Sequence, residues 1–261
     1  MTGLRGVIRS EWIKLRSVRS TYVIIGAAVV LGLGVGLLDV SSIAHNWPTM
    51  AAADRASFDP VGDSFSGFQF SELAFGALGV LAISTEYGTG MIRLTFAAVP
   101  RRGVVFAAKA LVLGGFALVI CEACAFVSFF LGQAVLSGRH LDVSLSDRNV
   151  FRAVICAGLY MAVVTMVGFG LGAIIRHTAG AMAAMFGLVF LAWPVARALE
   201  GFSYLPDRLL LVNAVDALVT THPITGPQAV RIPSAGLAGL TIAGYLIIFC
   251  GLGAWRLLRD A

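Results

Sequence analysis

The chain has 261 residues, of which 58% are hydrophobic and only 13% charged, and its mean hydropathy is +0.89. Soluble globular proteins carry roughly a quarter charged residues, so the composition excludes an ordinary soluble domain and predicts an all-α integral membrane protein. The net charge of +5 does not predict nucleic-acid binding, because the basic residues flank apolar runs instead of forming a separate basic domain.

The first predicted element is an amphipathic helix over residues 4–20. Its apolar side chains recur every three or four residues, the period of a helix with one apolar face. They are Leu4, Val7, Ile8, Leu15 and Val18, while Arg5, Arg9 and Arg16 gather on another side. A basic helix of this kind is typical of a segment on the inner membrane surface, where anionic lipids attract it.

Glu11 interrupts the apolar face of this helix, between Leu4 and Val18 on the helical wheel. An unpaired carboxylate against an apolar surface is costly, so Glu11 needs a partner. Two hypotheses remain open: a pair with Lys14 or nearby arginines on its own helix, or a pair with an arginine from another cytoplasmic segment or a partner subunit.

Six apolar segments long enough to cross a bilayer follow in chain order. Their predicted ranges are 22–38, 68–85, 104–136, 150–175, 179–196 and 235–255. The third is too long for one upright span and is expected to tilt or project. Arg176, His177 and Thr178 alone separate the fourth and fifth, which predicts a tight connection with Thr178 as a helix N-cap.

The sequence "STEYGTGMIRLTFAAVPRR" interrupts the apolar pattern between the second and third spans. Gly88 and Gly90 predict a turn, "MIRLTFAAV" predicts about two helical turns, and Pro100 predicts their end. Glu86 is expected to cap this short helix or to bind an arginine of the 4–20 helix. An ordinary basic loop that obeys the positive-inside rule is the alternative for this segment.

Glu122 lies midway along the third span, between Cys121 and Cys124. An ionisable group at this depth is costly and suggests a function, such as a place on a substrate path, a hydrogen bond across helices or a protonated structural role. The four cysteines are expected to be buried, inert thiols, because all lie inside apolar runs.

The segment before the sixth span contains "RLLLVNAVDALV", which is apolar but too short to cross a membrane. Pro206 before it and His222-Pro223 after it predict helix stops, so residues 208–219 are interpreted as a re-entrant or interfacial helix.

The orientation follows from the basic residues, most of which lie on one side if the N-terminus is cytoplasmic. Both termini are therefore expected to be cytoplasmic. A cleaved signal peptide ending near Ser42 and Ala44 is the alternative, although the apolar run is long for one. No phosphate-binding P-loop is present, since neither lysine follows a glycine, and no metal or hydrolase motif suggests catalysis.

Four segments, "SEWIKLRSVRSTY", "STEYGTGMIRLTFAAVPRRGVVFAAKA", "RHTAGAMAA" and "GAWRLLRDA", resemble the permease subunits of actinobacterial ABC-2 type exporters. The resemblance covers essentially the whole chain, and its most specific part begins at Glu86. It implies a single transmembrane domain over residues 1–261, with an elbow helix at 4–20, a cytoplasmic coupling helix in 86–103 and a re-entrant extracellular helix before the sixth span.

The resemblance further implies a homodimer in the bacterial cytoplasmic membrane, bound to separate ATPase subunits that hold ATP and magnesium, while this chain binds no cofactor. Such a complex exports a hydrophobic or amphipathic compound, for example an antibiotic, a lipid or a peptide. For this arrangement the candidate ATPase-coupling residues are Glu86, Tyr87, Gly88, Gly90, Met91, Arg93, Leu94, Phe96, Pro100 and Arg101. Glu11 and Arg16 are candidate elbow-helix contacts, and Glu122 is a candidate residue of the substrate path.

Two other functions stay open on sequence grounds. An ion-coupled transporter is expected to show an inverted repeat and several intramembrane carboxylates, of which the sequence displays only Glu122 deep in a span. A non-transporting membrane anchor or sensor is compatible with the same segments.

Overall fold

The computed structural model describes residues 4–221 and 227–259, and over these ranges the chain is helical without a β-strand. The helices are α1 (Leu4–Ser17), α2 (Arg19–Asn46), α3 (Ala52–Ser57), α4 (Phe68–Gly88), α5 (Met91–Ala98), α6 (Arg102–Leu136), α7 (Val150–Ile175), α8 (Thr178–Phe186), α9 (Ala192–Ala198), α10 (Leu205–Arg208), α11 (Leu211–Val219) and α12 (Ala235–Arg259). A π-helical turn, Gly187–Leu191, joins α8 to α9.

Six helical segments within the described ranges are long and apolar enough to span a membrane, which confirms the six predicted spans. The first is longer than predicted, because α2 continues through its polar end to Asn46, just before Trp47-Pro48. The 35-residue α6 is roughly 50 Å long at 1.5 Å per residue, so it exceeds a bilayer core of about 30 Å as expected.

The alternating directions of the long helices give the bundle two faces. On the terminal face, which carries α1 and the end of α12, Arg176 donates a hydrogen bond to the Arg256 carbonyl at 3.1 Å. On the loop face, Arg139 donates to the Ala44 carbonyl at 3.1 Å, and the Thr221 hydroxyl donates to Asp59.

The core of the bundle is built around α7, the most buried long helix, which packs closely on α4. A Cβ on Gly79 would lie 1.9 Å from the Thr165 carbonyl, and one on Gly168 would lie 2.2 Å from the Gly76 carbonyl. Glycine at these positions lets the two backbones touch, as is usual where transmembrane helices associate. By contrast, α2, α8–α9 and α12 leave broad apolar surfaces uncovered.

Two local predictions are corrected. The helix predicted over 208–219 is interrupted: α10 ends at Arg208 and α11 begins at Leu211, because Leu210 between them is extended. The Asn213 side chain donates to the Asp207 carbonyl at 2.7 Å across the break. The predicted stop at His222-Pro223 lies outside the described residues. Thr178 is not the N-cap of α8: His177 is, since its Nδ1 accepts from the Gly180 N–H, while the Thr178 hydroxyl donates to Ser84.

Candidate functional site

The candidate site begins at the inward face of α1. Val7 is buried there against Val105 and Ala108 of α6, and Ile8 packs beside them. Glu11 lies on the same face and is only 4% exposed. Of the predicted apolar stripe, Leu4 and Val18 are exposed. Leu4 is the first residue of α1, and Val18 lies beyond its end in an extended conformation.

Four charged side chains meet beneath α1, and we call them the charge cluster: Glu11, Lys14, Glu86 and Lys109. Lys109 donates to Glu11 Oε2 at 2.5 Å and to Glu86 Oε1 at 2.8 Å. Lys14 donates to Glu11 Oε1 at 2.8 Å and to Glu86 Oε1 at 3.1 Å. The cluster therefore ties α1 to α4 and α6, and it contains as many positive as negative charges.

The charge cluster also reaches α5, because Lys14 donates to the Thr95 hydroxyl at 3.3 Å. It uses both lysines of the chain, whose other strongly basic side chains are arginines. An ammonium suits this place because its three donors can point at three separate acceptors, whereas a guanidinium presents a planar fork.

Lys14 stays charged in this environment. Burial lowers the pKa of its ammonium, but the hydrogen bond with Glu11 and the charge of Glu86 outweigh burial, so the pKa lies above the usual 10.5. Glu86 Oε2, in contrast, is buried and accepts no hydrogen bond among the described residues. The cluster thus has one carboxylate oxygen that accepts no hydrogen bond among the described residues, and its two positive charges balance its two negative charges.

Both hypotheses for Glu11 hold in part, since it pairs with Lys14 on its own helix and with a residue of another segment. The distant partner is a lysine and not the expected arginine. Glu86 neither caps α5 nor binds an arginine: α5 starts after Gly90 without a side-chain cap, and Glu86 points from α4 to the two lysines. Lys109 was not predicted to belong to this site. Its signal in the sequence is a basic side chain seven residues inside an apolar span.

The turn and short helix predicted between the second and third spans are present. Gly90 has φ of 72°, in the left-handed region that favours glycine, and α5 follows as two turns. Ile92 is buried and anchors α5, while Met91 and Leu94 are 46% and 73% exposed.

The remaining predicted residues of this segment divide between surface and bundle. Arg93, Gly88, Pro100 and Arg101 are exposed. Phe96 is turned inward, packs beside Val105 and carries the Arg102 guanidinium 5.0 Å from its ring centroid. Tyr87 is half-buried below the Arg176 guanidinium, at 5.1 Å. Arg16 lies outside the charge cluster, exposed and stacked over Trp12 at 5.8 Å.

A cavity of about 310 Å³, which we call the junction cavity, opens beside the charge cluster. Its walls come from the α1–α2 junction, α4, the start of α5 and α6. Apolar side chains form most of the lining, including Ile24, Leu78, Leu81 and Val112, and the cluster closes one end.

Glu122 lies elsewhere, half-buried on α6 against α7. A Cβ on Gly158 would come within 2.6 Å of its carboxyl, so glycine makes room for the side chain. Its Oε2 has no hydrogen-bond partner among the described residues, and it does not line the junction cavity. Its place on a substrate path stays a prediction.

A second intramembrane carboxylate was missed by the sequence reading because it lies only one turn inside α4. Glu72 is buried and accepts a short hydrogen bond from the Tyr160 hydroxyl of α7. Both line a cavity of about 50 Å³ under α11, on the loop-face side. Over residues 4–221 and 227–259, no group of three metal-ligating side chains converges.

Comparison of the chain with protein families, with curated proteins and with solved structures finds no match.

Proposed function

We propose that this chain is the permease subunit of an ABC-2 type exporter, driven by separate ATPase subunits and working as a dimer. The observation that carries the proposal is the connection between α5 and the charge cluster. A helix of two turns exposes Met91, Arg93 and Leu94. Behind it, Thr95 is bonded to Lys14 of α1, and Glu86 of α4 is bonded to Lys14 and to Lys109 of α6.

This connection has the mechanical property that a permease without an ATP site needs. A partner that pushes on α5 displaces a rigid helix, because Ile92 is buried and the α5 backbone is hydrogen-bonded to α4 through the Gly90 turn. The buried ion pairs pass the displacement to α1, α4 and α6 together.

In the proposed arrangement α1 is the elbow helix on the inner surface of the bacterial cytoplasmic membrane. Its outward side carries Arg5, Arg9 and Arg16, and Trp12 is 39% exposed at its edge. Both termini and α5 then face the cytoplasm, and α11 is the re-entrant extracellular element. A fluorescent protein fused to the C-terminus is expected to fluoresce, and an alkaline phosphatase fused there is expected to be inactive.

The central test is co-purification with candidate ATPase subunits, followed by ATPase measurement. Leu94→Glu is expected to weaken the complex about tenfold or more, since it places a charge in an apolar contact. Leu258→Glu is the matched control, because Leu258 is an exposed leucine near the end of α12 on the same face. Equal complex formation by Leu94→Glu and the wild type would contradict the role of α5.

A second candidate function, an ion-coupled transporter, is favoured by the buried Glu72–Tyr160 pair, which adds a second intramembrane carboxylate to Glu122. Proteoliposomes containing this chain alone separate the two functions. Transport driven by a proton gradient without any ATPase, and lost in Glu72→Gln, would favour the ion-coupled function and overturn the exporter.

A further inference from the structure

The junction cavity has the size and lining of a small-molecule site. Its volume of about 310 Å³ lies at the lower end of the range for ligand pockets, about 300–1,000 Å³. Leu15, Ile24, Leu78 and Leu113 line its apolar part, and the polar groups gather at the end next to the charge cluster. A ligand that fits has an apolar body and one polar end.

The polar end of the cavity offers acceptors. The three N–H groups of Lys14 are already directed at two carboxylates and Thr95. Thr85 and Thr89 donate their hydroxyl hydrogens to helix carbonyls at 2.7 and 2.8 Å, so that their oxygens are left to accept. Glu86 Oε2 accepts no hydrogen bond from any residue that the structure describes.

Next to Glu86, Lys109 has one N–H left besides those it donates to Glu11 and Glu86, and these two carboxylates neutralise its charge. The hydroxyls of Ser20 and Thr21, which can also donate, line the cavity on the α2 side. A phosphate, sulfate or carboxylate group placed between Thr85, Glu86 and Thr89 would therefore meet mainly lone pairs. An ammonium is the complementary group, because it has three donors and no acceptor. The terminal torsion of a glutamate is soft, so Oε2 of Glu86 can turn towards a donor that enters.

We propose that the junction cavity binds the ammonium end of a cationic amphiphile, with the apolar body between α2, α4 and α6. The ammonium is held by Glu86 Oε2 and by the hydroxyl oxygens of Thr85 and Thr89. That such a compound is also a substrate for export rests on the proposed function; the binding site itself does not.

The test of the site uses the full chain in phosphatidylcholine nanodiscs, without ATPase, and measures equilibrium binding of radiolabelled dodecylamine after subtraction of empty nanodiscs. One saturable site per chain is expected. Dodecyltrimethylammonium has the same charge and tail but no N–H, and it is expected to bind about tenfold more weakly or worse. Equal binding of the two cations, or tight binding of dodecyl sulfate, would overturn the proposal.

Variants locate the site within the chain. Glu86→Gln is expected to raise the dissociation constant about 10- to 100-fold, since it removes a charged acceptor. Because this change also breaks ion pairs, Thr85→Val and the cavity-filling Ala82→Leu provide independent tests, and both are expected to weaken binding several-fold. Thr241→Val is the matched control: its hydroxyl also donates to a helix carbonyl, on α12 and away from the cavity. Unchanged binding in both Thr85→Val and Ala82→Leu would place the ligand elsewhere.

The substrate role has its own readout. Dodecylamine is expected to stimulate the ATPase activity of the assembled complex. Binding without stimulation in an active complex would refute the substrate role but not the binding site. Failure of an ATPase to associate would instead contradict the proposed function and leave the nanodisc result untouched.

Discussion

Replacing Lys109 with methionine is expected to lower the free energy of unfolding by about 3–5 kcal/mol, the usual cost of removing one partner of a buried ion pair. Lys109 is 7% exposed and donates to two carboxylates that are 3% and 9% exposed. Each charge-assisted hydrogen bond contributes about 1.5–3 kcal/mol, which gives a loss of the same size. Methionine keeps the apolar stem, so the loss reports the ammonium and not a cavity.

Lys14→Met is the matched comparison within the same cluster. The Lys14 side chain is 27% exposed, so water can replace part of what it donates, and a loss of about 1–2 kcal/mol is expected. Glu11→Gln combined with Lys109→Met is expected to cost less than the two single changes added, with a coupling of about 1–3 kcal/mol.

The assay is equilibrium unfolding by sodium dodecyl sulfate in mixed micelles, followed by tryptophan fluorescence. Trp12 is a local reporter, because its ring lies edge-on to Phe116 of α6 with centroids 5.9 Å apart and leaves that environment when α1 detaches. Two results would refute the argument that burial sets the strength of these ion pairs. One is a Lys109→Met variant as stable as the wild type; the other is a larger loss of unfolding free energy in Lys14→Met than in Lys109→Met.

Three further changes are predicted. Gly168→Ala is expected to cost about 1–3 kcal/mol of unfolding free energy, because its Cβ would lie 2.2 Å from the Gly76 carbonyl, whereas Gly115→Ala meets nothing within 4 Å and is expected to cost nothing. Gly90→Ala is expected to cost about 1–2 kcal/mol in the same assay, because φ is 72° there. Burial raises the pKa of Asp63 from 3.8 to about 6. Between about pH 4 and 6, the folded protein keeps a proton on Asp63 that the unfolded chain has already released. This carboxyl therefore makes the protein more stable as the pH falls from 7 to 5. Asp63→Asn is expected to reduce the gain measured between these pH values, and an unchanged gain would contradict the assignment.

Parts of the candidate site were predictable and parts were not. The short helix after Gly90 and the need of Glu11 for a partner follow from local pattern, since glycine, proline and helical periodicity act over a few residues. The identity of the partner did not follow: Lys109 lies 98 residues further along the chain. Phe96 and Leu94 look alike in the sequence, yet one packs inward and the other faces solvent.

The apolar runs alone establish a helical chain with six membrane-length segments, because the hydrocarbon interior of a bilayer forces each run to satisfy its own backbone hydrogen bonds as a helix. Which polar side chains meet depends on how the helices pack in three dimensions. Two lysines and two glutamates from α1, α4 and α6 become one neutral cluster beside a cavity, since helix packing brings together residues that pattern along the chain cannot relate.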